Sequence, residues 1–159
     1  MTIETMKGTH QVVRLLASVT SEAEARLAAA EGADIIDCKD PAAGALGALP
    51  LDVVARIRAA VPARMPVSAT IGDLPADPAP ILDAAHAMAA TGCDIVKIGL
   101  FPGGDAHATI HHLGRHLALH KALVAVLMAD GPLDLALVPA LGEAGFAGVM
   151  LDTAEKDGR

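Results

Sequence analysis

Five charged side chains stand at the ends of apolar runs: Asp37, Lys39, Lys97, Asp152 and Lys156, in a chain with only 12 lysines and arginines. Ammonium groups brought together penalise one another's charge, and partial burial acts in the same direction. A lysine in such a cluster becomes a nucleophile towards carbonyl carbon. Neighbouring carboxylates preserve part of the positive charge, orient the amines and move protons. A lysine, a carboxylate and a second lysine are the minimum set for Schiff-base chemistry of the aldolase kind, and the remaining positive charge suits a phosphorylated substrate. Each residue also has a plainer reading. Asp37 and Lys39 could be a solvated strand end, Lys97 could pair with Asp94, and Lys156 could belong to a solvated terminus.

The elements needed to bring these groups together follow from the pattern of the chain. Strands are expected at Val12–Val19, around Ala33–Lys39, at Pro66–Asp73, Asp94–Leu100, Lys121–Asp130 and Phe146–Thr153. Between them, helical spacing or caps mark Ser21–Ala30, Leu51–Val61, an Ala-rich stretch to Ala90, His107 to about Leu119, and Leu133–Ala144. Strand and helix alternate at the period of repeated βαβ units, which argues for a parallel sheet. Late polar residues occur on nearly every strand: Ser18, Asp37 with Lys39, Ser68 with Thr70, Lys97, Asp130 and Asp152. An open doubly wound sheet gathers its ligand at one switch point, whereas a barrel draws on the C-terminal ends of many strands. No GxGxxG follows the first strand. The expected fold is therefore α/β, a TIM-type (β/α)8 barrel, as a single domain over residues 1–159.

In that setting Ser68 and Thr70 are candidate substrate contacts, and Gly44 and Gly47 could cradle a phosphate through backbone amides. Asp73 and Asp130 are read as caps of the following loops or helices. His107, His111, His112, His116 and His120 recur at i, i+4 on adjacent helix faces. They lack acidic or thiol partners for a metal, so that helix is read as a surface or oligomer-facing element, with no metal and no cofactor expected.

Composition narrows the rest. With 53% apolar but 1% aromatic residues and a formal charge of −7, the chain offers neither stacking platforms nor excess cations for nucleic acid. No run reaches the length of a membrane span and no apolar leader is evident, so a cytoplasmic location is expected. Cys38 and Cys93 fall inside apolar runs and read as packing residues of a reduced compartment. Self-association into a homo-oligomer is also expected.

The segments DIIDCKDP with GALGA, PVSATIGD, DIVKIGL and MLDTAEKDG, in this order and spacing, resemble the (5-formylfuran-3-yl)methyl phosphate synthases of methanofuran biosynthesis. The resemblance runs from about Val13 to Gly158. It implies a barrel lyase that condenses two molecules of glyceraldehyde 3-phosphate into a phosphorylated furan aldehyde, releasing phosphate and water. It further implies that Lys39 forms the Schiff base and Lys97 accepts a proton, with Asp37, Asp152 and Lys156 completing the site. Two loop positions depart from the family pattern, Asp40 standing for Asn and Ala45 for Ser. The family pattern continues through two more βα units, so the barrel is expected to lack its last two units in this chain; the alternative is a non-catalytic phosphate-binding or assembly module of the same fold.

Overall fold

A computed structural model of the chain describes residues 13–116 and 121–155. Its elements are β1 (Leu16–Val19), α1 (Glu22–Ala30), β2 (Ile35–Cys38), a 3-10 turn (Pro41–Ala43), α2 (Leu51–Ala60), β3 (Val67–Thr70), α3 (Pro78–Ala90), β4 (Ile95–Gly99), α4 (Ala106–His116), β5 (Ala122–Met128), α5 (Leu137–Glu143) and β6 (Gly148–Asp152). Local chemistry accounts for their limits. Ser21 caps α1 by accepting the Glu24 amide, and Gly32, at φ 95°, lets the chain reverse into β2. Of the strand expected at Val12–Val19, Val12 lies outside the described residues and β1 begins at Leu16, just after the Leu15 amide donates to the Asp34 carboxylate at 2.7 Å. α5 begins at Leu137 rather than Leu133. The Asp134 side chain accepts the Ala136 amide at 2.9 Å, forming a turn that competes with the helix.

All six strands are parallel and pair in sequence order, β1-β2-β3-β4-β5-β6. Right-handed crossovers between sequential parallel neighbours place every helix on the same side of the sheet, unlike the doubly wound arrangement. The register then fixes two faces. Ile36 and Cys38, Val67 and Ala69, Val96 and Ile98 join Ala25, Val54, Ile57, Ile81, Ala85 and Met88 from the helices in the main core. Each Ile, Val and Met among them contributes roughly 1.5–3 kcal/mol on burial. On the opposite face, Ser18 lies beside Asp37, Asp37 beside Ser68, and Thr70 beside Lys97.

The sheet curls around this second face. Four strand spacings separate β2 from β6, which in a flat sheet would be ~19 Å. Yet Lys39 Nζ, just past β2, lies 3.3 Å from the carboxylate of Asp152 at the end of β6. The result is a half-barrel of six strands with its helices outside. Leu46, from the loop after β2, fills its interior against Val126 and Met128, flanked by Phe101 and Met150. Gly99 has no room for a side chain because Phe101 and Leu46 occupy the space. Among the described residues no helix is long and apolar enough to cross a membrane.

Candidate active site

The inner face carries its charge in two layers. In the deeper layer, β2 and β4 direct Asp37 and Lys97 inward, and Lys97 Nζ donates to Asp37 Oδ2 at 2.7 Å, with both side chains at most 5% exposed. Burying two charges is tolerable when they are paired and their remaining hydrogen-bonding capacity is used. Asp37 meets that condition. Ser68 Oγ donates to its Oδ1 at 2.6 Å and Ser18 Oγ to its Oδ2 at 3.2 Å, both serines coming from the in-register positions on the flanking strands. Lys97 is not paired with Asp94. Asp94 lies at the start of β4, at the other end of the sheet, where it accepts from Arg58 at 2.8 Å and from the Val67 amide at 2.9 Å.

The upper layer lies at the rim, where strands end. Lys39 Nζ donates to Asp152 Oδ2 at 3.3 Å, with side chains 14% and 21% exposed. The longer distance and partial access make this the looser pair. The other oxygen of Asp152 accepts the Thr153 amide at 2.8 Å, fixing the carboxylate relative to the segment after β6. Lys156 lies outside the described residues, as does His120.

The remaining expected contacts serve the loops. Thr70 is fully buried and donates to the carbonyls of Gly47 at 3.0 Å and Cys38 at 3.4 Å, tying the loop after β2 to β3. Gly47 also accepts the Asp40 amide at 2.9 Å and donates to Gly44. A Cβ on Gly47 would run into the backbone of Asp40 and Ala43, and one on Gly44 would collide with the Asp73 carboxylate. These glycines thus have packing reasons of their own. The loop amides best arranged for an anion, those of Ala45 and Leu46, are taken by Asp73 at 2.8 and 2.7 Å. Asp40 caps the 3-10 turn through the Ala42 amide at 2.9 Å, a task asparagine performs equally well.

Asp73 and Asp130 are anchors of loops from neighbouring strands, a role beyond the capping read from sequence. Asp130 accepts the amides of Ala154 and Glu155, past β6, at 2.9 and 2.8 Å. Their signal was the position of an aspartate two or three residues after a strand; the identity of the amides they hold was not legible before the strand order was known. The interior role of Leu46 and Phe101 was likewise missed, since apolar residues in a loop carry no periodicity.

Both cysteines lie away from this face, in the main core. Cys38 points into the helix layer, and burial together with the Asp37 charge pushes its thiol up to about 12; burial raises the Cys93 thiol as well. On α4, His107 and His111 line an outer groove with Arg115 and, from α5, Glu143, while the His112 and His116 rings lie 4.4 Å apart. Among the described residues, no three His, Cys, Asp or Glu side chains are grouped to hold a metal ion.

Residues 15–159 match the family described as 4-HFC-P synthase. A "(5-formylfuran-3-yl)methyl phosphate synthase" of Methanococcus maripaludis is 38% identical over 91% of the chain, which spans 66% of that relative's length. A protein of Methylorubrum extorquens named putative for the same activity is 41% identical over 91% of the chain and 59% of its own. Among solved structures, phosphoenolpyruvate phosphomutase from Streptomyces platensis aligns over 88% of this chain and 59% of its own with a TM-score of 0.66 at 18% identity. A 3-hexulose-6-phosphate synthase aligns over 85% and 62% with a TM-score of 0.57 at 20% identity. At such identities the structural likeness speaks for the fold alone.

Proposed function

The chain belongs to the 4-HFC-P synthase family, and from that premise we propose that it is a Schiff-base lyase condensing two glyceraldehyde 3-phosphate molecules into a phosphorylated furan aldehyde for a methanofuran-type carrier. The observation that carries this reading is the two-layer arrangement of lysines: a partly accessible Lys39 at the rim above a buried Lys97–Asp37 pair. Lys39 Nζ, released from Asp152, attacks the aldehyde carbon of the first triose phosphate. Loss of water gives the protonated imine, which acidifies the adjacent carbon. Asp152, once Lys39 has moved to the substrate, sits where it can take or return protons at that adduct. Lys97, held by Asp37, supplies positive charge beneath it and takes part in proton transfer, its charge balanced throughout by a carboxylate that two serines keep in place. Carbon–carbon bond formation with the second triose, ring closure, elimination of one phosphate and release of Lys39 from the imine, with two waters lost overall, complete the balance. Lys156 is assigned to the same mouth from the family pattern, and Ser68 to holding Asp37 rather than to contacting substrate.

We read the six strands as part of a (β/α)8 barrel. The chain spans about two thirds of the length of the methanococcal relatives it matches, and it carries every residue assigned above to the Schiff-base step. Incubation with glyceraldehyde 3-phosphate should release inorganic phosphate and generate a furan-aldehyde chromophore. Binding of the triose phosphate without either product sinks the lyase reading. That outcome would favour the second reading, an assembly or binding module, which rests on the apolar side chains exposed on the two edge strands: Leu16 on β1, Val149 and Leu151 on β6. The same exposure supports association with a further copy, to be read from mass in solution.

A further inference from the structure

Two aspartates outside the charged mouth share one unusual arrangement. Asp73, past β3, offers its two carboxylate oxygens to two consecutive amides, Ala45 at 2.8 Å and Leu46 at 2.7 Å, in the loop that follows β2. Asp130, past β5, does the same for Ala154 at 2.9 Å and Glu155 at 2.8 Å, in the segment that follows β6. In each case an aspartate on one strand grips the chain leaving its neighbour, and a carboxylate accepting two amide protons makes strong, charge-assisted bonds. The segments held are those that carry Lys39 and Asp152. Asp152 lies two residues before Ala154, and its own side chain is set by the Thr153 amide between them. Lys39 opens the loop that is closed by the Asp40 amide on Gly47 and plugged into the half-barrel by Leu46. Gly44 leaves the space that lets the Asp73 carboxylate approach.

We propose that Asp73 and Asp130 are a matched pair of positioning residues that set the separation of Lys39 and Asp152 by clamping the two loops from outside the pair. The inference rests on the reading of Lys39 as the nucleophile for its functional meaning, but its structural content stands apart from that reading. Loss of either clamp frees one arm, so Lys39 spends less time against Asp152 and its amine is more open to reagents.

The test measures two things on the full chain and on Asp73→Ala, Asp130→Ala and Asp130→Asn. The first is hydrogen exchange at Ala154 and Glu155. The second is the rate at which trinitrobenzenesulfonate modifies Lys39, divided by the rate at Lys121, which lies at the far end of β5. Asp130→Ala is expected to remove protection at the two amides and to change the Lys39/Lys121 ratio at least threefold. Asp130→Asn, which keeps one acceptor oxygen, should fall between it and the parent, and Asp73→Ala should change the ratio in the same direction while sparing the two amides. A general loss of fold would raise both rates together, and then the Asn variant decides. An unchanged ratio in a folded Asp130 variant, or unprotected amides in the parent, overturns the clamp. Absence of any triose phosphate adduct on Lys39 in the parent overturns the nucleophile reading alone.

Discussion

The two lysine–aspartate pairs are built from the same residue types, each with one partner on or just past β2, and they differ in everything that governs what a lysine can do. Lys97–Asp37 is short and buried, with two serine hydroxyls on the carboxylate. Lys39–Asp152 is longer and partly accessible, and it joins the residue just past β2 to the last residue of β6. Separating the deep pair leaves a charge stranded in the interior, which is costly. Separating the rim pair exposes each charge to water, which is cheap. In the proposed reading, this difference in burial leaves the deep lysine to hold charge and pass protons and the rim lysine to become covalent.

The largest way to break that contrast is Asp37→Ala, which strands Lys97. It should cost about 3–5 kcal/mol in urea unfolding, and pairing it with Lys97→Met should recover much of the loss; a cost below 1 kcal/mol would equate the two pairs. Ser68→Ala comes next. Removing a buried hydrogen bond to a carboxylate should cost about 1.5–3 kcal/mol, against a few tenths for the exposed Ser18.

Cys38, between Asp37 and Lys39 in the chain but facing the helices, marks the boundary of the charged interior. Its folded-state pKa of about 12 lies above the ordinary thiol value of 9.0, so the unfolded chain gives up this proton first. Stability from this group is intact below pH 9 and declines from there towards pH 12, on the order of 1 kcal/mol by pH 10. Cys38→Ser, unfolded at pH 8 and pH 10, should lose that part of the decline; an identical slope in both proteins would remove Cys38 as its source. Lys39→Ala should also have only a small effect on stability, below about 1 kcal/mol, even though turnover should vanish. A larger cost would make the rim pair structural.

Much of this site could be read before any coordinates existed, because strand periodicity places Asp37 and Lys39 on one face and βα alternation brings Lys97 and Asp152 to the same end. The parallel sheet followed from the same alternation. Register-dependent features were not legible. That Lys97 would choose Asp37 over Asp94 depends on which end of β4 each occupies, and that Ser68 would face a carboxylate depends on its alignment with Asp37 across β2 and β3. The start of α5 moved for a local reason, since the carboxylate of Asp134 captures a backbone amide that periodicity assigns to the helix.

Borohydride trapping with glyceraldehyde 3-phosphate, followed by peptide mapping, asks the central question directly. Lys39 is expected to carry the reduced triose adduct and Lys97 none, with no adduct in Lys39→Ala. An adduct on Lys97, or one that persists in Lys39→Ala, would contradict the assignment of the covalent role to the rim.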